Sequence, residues 1–144
     1  PLGLSMLSKK TKYAFHALTY LGKKEDKTPV LISEIAEKTK VPKKFLESIL
    51  LDLKKAGILT SKMGKGGGYY LLKHPADVQL ADVIRMFNGP IALLPCVSLN
   101  YYEPCDECVD EETCGLNKIM IEVRDETLKI VANKSLQDIL KAEE

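Results

Sequence analysis

The sequence contains no hydrophobic run long enough to cross a lipid bilayer, because its uninterrupted apolar runs are only a handful of residues long. It also shows no basic segment followed by an apolar segment near its start, so we expect a cytoplasmic protein rather than a secreted one. Of its 144 residues, 45% are hydrophobic and 28% are charged, which is typical of a globular domain that buries its own core. Residues Pro1–Ser5 resemble the remnant of an expression tag, and Met6 is the expected native start.

Arginine is absent up to Pro75, and this half of the chain carries fifteen lysines against six acidic residues, a net charge of +9. From Ala76 onward the balance reverses, with six basic and fourteen acidic residues and a net charge of −8. A basic half joined to an acidic half indicates a polyanion-binding module attached to a second unit. A solvated, lysine-rich surface would give the same composition, and charge alone favours neither interpretation.

A first helix is predicted over residues 9–24, with Ser8 as its N-cap. Its apolar residues recur at helical spacing and define one buried face: Ala14, Ala17, Leu18 and Leu21. Lys9, Lys10 and Lys12 fall in its first turn, where the helix dipole disfavours cations. A bound polyanion would offset that cost.

Two further helices joined by a tight turn predict a helix-turn-helix. Ser33 is expected to cap a short helix over residues 34–39, and Pro42 to take the first position of a longer helix that ends before Gly57. The longer helix has an apolar stripe formed by Phe45, Leu46, Ile49, Leu50 and Leu53. Lys40 stands in the turn where glycine usually supplies the left-handed backbone, so we expect about 1 kcal/mol of strain there.

Two β-prone runs, residues 58–63 and 69–72, flank a glycine-rich segment and predict a hairpin with an exposed tip, in other words a wing. A nucleotide-phosphate site is disfavoured, because no Walker-type GK[ST] follows the glycines and no helix opens directly after them. Gly66 and Gly67 instead suit a tip whose backbone amides approach a DNA phosphate or the minor groove.

Beyond the wing, an amphipathic helix is predicted over residues 78–87, and no periodicity is visible from Asn88 to Thr113. A long helix follows over residues 116–133, and Ser135 is expected to cap a last short helix. The long helix carries a continuous apolar stripe that is too apolar to remain in water on so small a chain. We therefore expect it to pair with a second copy through Leu116, Ile119, Val123 and Ile130.

All four cysteines fall within the irregular stretch or directly beside it, at positions Cys96, Cys105, Cys108 and Cys114. A disulfide framework is disfavoured without signs of export, and a single buried cysteine would be an ordinary small apolar residue. Four cysteines within 19 residues of a polar loop favour metal binding instead.

The spacing of these cysteines does not by itself select the metal. Zinc sites usually have two closely spaced ligand pairs, and only Cys105 and Cys108 form such a pair here. Iron–sulfur clusters also take thiolates and accept looser spacing. The same loop carries six acidic residues and no basic residue between Tyr101 and Cys114, so it repels itself without a bound cation.

Together these motifs resemble the Rrf-two family of bacterial winged-helix transcription factors, the IscR/NsrR/BadM type. The resemblance rests on Leu7-Ser8-Lys9 followed by Tyr13-Ala14, on Phe45-Leu46-Glu47, on the wing Gly64-x-Gly66-Gly67-Gly68-Tyr69 and on the late cysteine loop. It extends from Met6 to about Leu140. It implies a homodimer whose long helix pairs with its mate, and DNA binding controlled by an iron–sulfur cluster.

The expected fold is mainly α with a small β-wing. Residues 6–87 form the winged helix-turn-helix domain, residues 88–115 the cysteine-rich cluster-binding loop, and residues 116–144 the dimerisation helix and the C-terminal helix. The expected partners are the second copy and double-stranded DNA with a pseudo-palindromic operator, which places the protein on the nucleoid.

The site residues follow from this resemblance and from the charges. Lys43, Lys44, Glu47 and Ser48 are expected to face the major groove, with Glu47 matching a family position that discriminates between DNA sites. The phosphates and the minor groove are expected to be contacted by Lys9, Lys10, Lys12, Lys62 and Lys65, with Gly66 and Gly67 at the wing tip.

Four-cysteine ligation of a 2Fe–2S or 4Fe–4S cluster is the first expectation for the loop. Some family members have a histidine three residues after the last cysteine, where this chain has Asn117, and His16 on the first helix is a minor candidate ligand. The chief alternative keeps the fold with a structural zinc site or a thiol switch. A redox enzyme using Cys105 and Cys108 is disfavoured, because no thioredoxin-like βαβ pattern is present and we expect no enzymatic activity.

Overall fold

The computed structural model describes residues 7–24 and 27–144, so the expectations for Pro1–Ser5 and for Met6 lie outside the described residues. The described chain forms six α-helices, one two-stranded antiparallel sheet and two short 3₁₀ turns, at Pro75–Asp77 and Pro95–Val97. In chain order the helices and strands are α1 (Lys9–Gly22), α2 (Ile32–Thr39), α3 (Lys43–Lys55), β1 (Leu59–Lys62), β2 (Gly68–Leu71), α4 (Leu80–Phe87), α5 (Gly115–Val131) and α6 (Leu136–Ala142).

Helix α1 is the centre of the structure and packs against α2, α3, α4 and α6. Ser8 caps it as expected, since its hydroxyl accepts a hydrogen bond from the Thr11 backbone N–H at 3.1 Å. Ala14, Ala17 and Leu18 are fully buried and form part of the hydrophobic core. The helix ends at Gly22, two residues earlier than predicted.

Helices α2 and α3 form the helix-turn-helix, and Lys40 adopts the expected left-handed backbone with φ 61°. Ser33 is not the cap of α2, because the hydrogen-bond ladder already begins at the Leu31 carbonyl, which accepts from Ile35 N. Pro42 lies at the N-cap of α3 rather than at its first position, because its carbonyl accepts from both Phe45 N and Leu46 N.

The apolar stripe of α3 is confirmed at its four fully buried residues, Leu46, Ile49, Leu50 and Leu53. Phe45 was expected in the same stripe, but unlike the other four residues it is not buried: its side chain is 48% exposed. It lies at the edge of the stripe, on the side facing α1, where its ring packs against Tyr13 with the ring centroids 5.9 Å apart. Aromatic packing across two helices therefore replaces burial in the core.

Strands β1 and β2 form the predicted hairpin, with Leu59 opposite Leu71 and Lys62 opposite Gly68. A third segment joins this sheet at an isolated bridge between Val30 and Tyr69, whose two backbone hydrogen bonds are both 2.8 Å long. Gly68, with φ 145°, is required at this crossing, because a Cβ there would lie 2.4 Å from the Val30 carbonyl. The wing is thus bonded to the segment that enters α2.

The long irregular stretch contains one short turn, Pro95–Val97, and otherwise only bends and turns. Helix α4 begins at Leu80 rather than at residue 78, because Val78 is extended and its carbonyl accepts from Leu136 N at 2.9 Å. This contact brings α6 back onto the N-terminal core, where Leu136 is buried. Helix α6 therefore packs against α1 and the Pro75–Asp77 turn.

The Ser135 backbone N–H donates to Asp138 Oδ2 at 2.8 Å, which completes the expected cap of α6.

No helix within residues 7–24 and 27–144 is both long enough and apolar enough to cross a membrane.

Candidate nucleic-acid interface and cysteine site

Helix α3 presents one buried face and one polar face. Its inner residues hold it against α1 and α2, and the four residues predicted to read DNA are all exposed: Lys43, Lys44, Glu47 and Ser48. They occupy its first two turns, the part of a recognition helix that usually meets the base edges. The structure therefore brings the predicted reading residues together on one surface.

The three lysines in the first turn of α1 have different surroundings. Lys9 and Lys12 are exposed, and their side chains have no hydrogen-bond or ion-pair partner in the described part of the chain. The Lys10 ammonium lies 3.3 Å from Ser48 Oγ and 3.8 Å from Asp52 Oδ2, both on α3. Lys9 and Lys12 are free to bind a polyanion, whereas Lys10 is bound to α3, the candidate recognition helix, called the reading helix below.

At the wing tip, Lys62, Lys65 and Gly66 are exposed, as a groove-binding hairpin requires. Gly67 is buried, and its N–H donates to the Gly64 carbonyl at 3.0 Å. A Cβ at Gly67 would collide with the Lys62 carbonyl, so this glycine shapes the turn. Its amide is used inside the hairpin, whereas Gly66 is exposed at the tip.

The first and last cysteines are held at the start of α5. Cys114 is the N-cap of α5, where its sulfur accepts from Asn117 N at 3.4 Å. The side-chain amide of the same asparagine donates to Cys96 Sγ, also at 3.4 Å. Arg124 donates to the Val97 carbonyl at 2.9 Å and fixes the turn that carries Cys96. Sequence reasoning noted Asn117 only as a departure from a histidine and missed this bridging contact.

Of the other two cysteines, Cys105 is exposed and Cys108 is half-buried, and the pKa of both thiols is raised. For Cys105, a hydrogen bond from the Glu107 backbone lowers the thiol pKa, but the Glu107 carboxylate, desolvation and Cys96 together raise it above its ordinary value. Desolvation, followed by the neighbouring Cys114 and Cys105, raises the pKa of Cys108. Cys105 thus has Cys96 as a neighbour, and Cys108 has Cys114 and Cys105.

The donor set fits a thiolate-bound metal centre in its chemistry. The stretch supplies four free thiols, and N–H groups of Asn117 donate to two of the sulfurs, as in cluster sites where hydrogen bonds to sulfur are common. Within residues 7–24 and 27–144, no three His, Cys, Asp or Glu side chains are yet grouped as ligands of one ion. His16 is exposed on α1, and no hydrogen bond joins it to a cysteine in the described structure.

Helix α5 leaves the predicted pairing face uncovered. Leu116, Ile119 and Ile130 are 58%, 54% and 59% exposed, and Val123 is half-buried. The opposite side of α5 holds the cysteine loop through Asn117, which is only 7% exposed. One face of this helix therefore supports the cysteine site, and another is apolar and open.

A helix-turn-helix with an exposed polar reading face, followed by a lysine-bearing hairpin, defines a winged-helix DNA-binding protein. Comparison with known proteins gives the family. Residues 7–142 match the family model of Rrf2, described as an iron-dependent transcriptional regulator, and the chain belongs to this Rrf2 family of transcriptional regulators.

The relatives agree in length and fold. The chain is 44% identical over 140 residues to an rrf2-like HTH-type transcriptional regulator of Rhodobacter capsulatus, covering 95% of this chain and 93% of that protein. The structure superposes on CymR, the global cysteine regulator of B. subtilis, with a TM-score of 0.77 at 24% identity, covering 95% of this chain and 97% of CymR. T. potens IscR gives a TM-score of 0.74, also at 24% identity, covering 96% of this chain and 88% of IscR.

Proposed function

We propose that this regulator binds a pseudo-palindromic operator as a homodimer, and that an iron–sulfur cluster held by Cys96, Cys105, Cys108 and Cys114 modulates the binding. The observation that most directly supports the cluster is that Asn117, at the start of α5, donates hydrogen bonds to the sulfurs of both the first and the last cysteine. The family description as iron-dependent supports iron over zinc. Such a cluster would supply a redox- and ligand-sensitive centre whose loss changes the order of the loop.

In the proposed DNA complex, the first two turns of α3 enter the major groove and the wing tip reaches the minor groove. Lys43, Lys44, Glu47 and Ser48 are the base-reading candidates, and their exposure on one surface supports this role. Lys9, Lys12, Lys62 and Lys65 are the candidates for phosphate contacts.

Dimerisation through α5 is supported by its uncovered apolar face. Leu116, Ile119 and Ile130 project into solvent from a single chain, and an apolar groove lined by Val123, Thr127 and neighbouring residues runs alongside them. A second copy supplies an identical apolar face, so a two-fold axis would cover both at once. The operator half-sites then repeat with the same symmetry.

The proposed function separates into three measurable parts. Protein purified without oxygen should show a visible absorption spectrum and contain iron and sulfide in cluster stoichiometry. Its operator affinity should differ from that of chelator-treated protein by about 5–150-fold, the usual range of allosteric coupling. Each of the four Cys→Ala variants should lose iron.

Other results would redirect the proposal. One zinc per chain in a colourless protein would favour a structural zinc site. A reversible change in operator affinity on thiol oxidation, with no metal bound, would favour a thiol switch. If only three Cys→Ala variants lose iron, the fourth ligand lies elsewhere and His16 is the next residue to replace. Equal operator affinities with iron bound and removed would remove the sensor role.

The charge distribution gives a separate test of DNA recognition. The +9 half of the chain should give operator binding that weakens steeply as salt increases. Replacing Lys43 or Lys44 should cost about 1–3 kcal/mol at the operator if that lysine reads a base. Replacing Lys65 should weaken binding to all sequences alike. Binding that does not respond to salt would contradict this assignment.

A further inference from the structure

The first turn of α1 is joined to the residue that opens the cysteine-bearing stretch. Asn88 Oδ1 accepts a hydrogen bond from Ser8 N at 2.8 Å and lies 3.5 Å from the hydroxyl of Thr11, which is fully buried. The Ser8 and Thr11 hydroxyls are themselves 2.7 Å apart. Asn88 follows α4 directly, so one amide oxygen ties the start of α1 to the start of residues 88–115.

Lys10 extends this connection to the reading helix. Its ammonium donates to Ser48 Oγ at 3.3 Å, lies 3.8 Å from Asp52 Oδ2 and is 5.8 Å from the centre of the Phe87 ring. Ser48 and Asp52 are one turn apart on α3, and Phe87 is the residue before Asn88. Lys10 therefore contacts two neighbouring helices while Lys9 and Lys12, in the same turn, point into solvent.

We propose that Lys10 is a positioning residue of the reading helix rather than a phosphate ligand, and that Asn88 links it to the state of the cysteine loop. Phe87 and Asn88 both touch the first turn of α1, so a displacement at the start of the loop moves this turn. Lys10 carries the displacement to Ser48. The inference rests on the base-reading role proposed above for Ser48, and it holds whatever the cysteines bind.

The salt dependence of DNA binding distinguishes positioning from phosphate contact. Each phosphate contact contributes about 0.9 to the slope of log affinity against log salt. Lys10→Met keeps the aliphatic stem, so we expect operator affinity to fall about 3–10-fold, as for loss of a partly exposed charged hydrogen bond, with an unchanged slope. Lys12→Met is the matched control, and it should lower the slope by about 0.9 while weakening all sequences alike.

Sequence selectivity gives a second readout that a general loss of stability would not produce. Operators selected from random duplexes should show which base pairs lose discrimination in Ser48→Ala. Lys10→Met should lose discrimination at the same base pairs, and the double variant should be no less selective than Ser48→Ala alone. If Lys10→Met keeps its sequence selectivity and its slope of log affinity against log salt falls by about 0.9, Lys10 is a phosphate ligand and the proposal is overturned.

The role of Asn88 is tested by a conservative pair of variants, with circular dichroism and thermal midpoints confirming that both fold. Asn88→Asp keeps an oxygen acceptor for Ser8 N, whereas Asn88→Ala removes it. Asn88→Ala should weaken operator binding without changing the salt slope, and adding Lys10→Met should weaken it little further. Asn88→Asp should stay close to the wild type. Fully additive effects of Asn88→Ala and Lys10→Met would contradict a shared connection.

The metal response completes the test and separates this inference from the proposed function. In the wild type, the ratio of operator affinities of iron-loaded and chelator-treated protein should differ from one, and in Asn88→Ala it should approach one. An unchanged ratio in Asn88→Ala would refute the link to the loop. If the wild-type ratio is itself one and no iron is bound, the sensor proposal fails, while the Lys10 results still decide the positioning role.

Discussion

The side-chain amide of Asn117 donates a hydrogen bond to the sulfur of Cys96, 21 residues earlier in the chain and 3.4 Å away. Its backbone N–H donates a second hydrogen bond, to the sulfur of Cys114 at the start of α5. A neutral residue with two N–H donors can hold two sulfurs without adding charge to an acidic loop. It thereby orients two of the four thiols.

Replacing this residue should weaken metal retention. Partners that orient metal ligands typically contribute about 10–100-fold to affinity, so we expect a loss of that size in Asn117→Ala. Competition with a chromogenic chelator measures it for zinc, and iron content measures it for a cluster. Asn100→Ala, which removes an exposed amide from the same stretch, should retain metal like the wild type. Equal retention by both variants would show that the contact does not organise the site.

Introducing charge into the apolar face of α5 should dissociate the proposed dimer. Ile119→Asp places a carboxylate where a half-exposed apolar side chain would meet its mate, and a desolvated, unpaired charge is strongly unfavourable. Sedimentation velocity at micromolar concentration should then report a monomer. Lys129 is exposed and lies about 80° round the helix from Ile119, outside the apolar face, so Lys129→Asp should leave the dimer intact. A wild-type protein that sediments as a monomer would contradict the prediction outright.

Relieving the left-handed backbone at Lys40 should stabilise the fold. At φ 61° a lysine costs about 1 kcal/mol that glycine does not, so Lys40→Gly should raise the free energy of unfolding by roughly that amount. The urea midpoint at unchanged m-value reports the gain. Lys38→Gly, two residues earlier but inside α2, should instead destabilise by about 1 kcal/mol.

The cap of α6 should respond to acid. The hydrogen bond from the Ser135 backbone, with its hydroxyl and nearby lysines adding to the effect, holds the pKa of Asp138 below its ordinary value. A carboxyl whose pKa is lower in the folded state stabilises the fold above the pKa of the unfolded state. That stabilisation is lost as the pH falls through the folded value. Asp138→Asn should therefore have a lower thermal midpoint at neutral pH, with the difference shrinking below about pH 4. A difference independent of pH would exclude this origin.

The local architecture was largely predictable because it depends on short-range patterns. Periodicity located α3 and α5, glycine content located the wing, and Ser8 and Ser135 marked two helix starts. The predictions failed where a tertiary contact competed with a local one. Val78 was expected inside α4, yet it stays extended and its carbonyl accepts from Leu136 N on α6.

The candidate site was predictable as a set of residues but not as a set of relationships. Charge and spacing identify the lysines and cysteines, but they cannot show that Lys10 contacts α3 or that Asn117 joins Cys96 to Cys114. Phe45 has the spacing of a core residue and is exposed, because Tyr13 offers it a partner outside the core. Such contacts connect residues tens of positions apart, so no window of sequence contains them.

The bridge between Val30 and Tyr69 has a consequence for the DNA that this protein accepts. Val30 leads into α2 and Tyr69 belongs to the wing, and Gly68 lets the two backbones touch. The bridge joins the hairpin to the helix-turn-helix, so in the proposed complex the offset between their two contacts with DNA is set by the fold. An extra base pair between those points displaces one contact by about 3.4 Å and rotates it by about a tenth of a helical turn. The winged domain should therefore accept only one spacing between its two contacts within a half-site. Inserting or removing one base pair there should abolish recognition even when every contacted base is preserved.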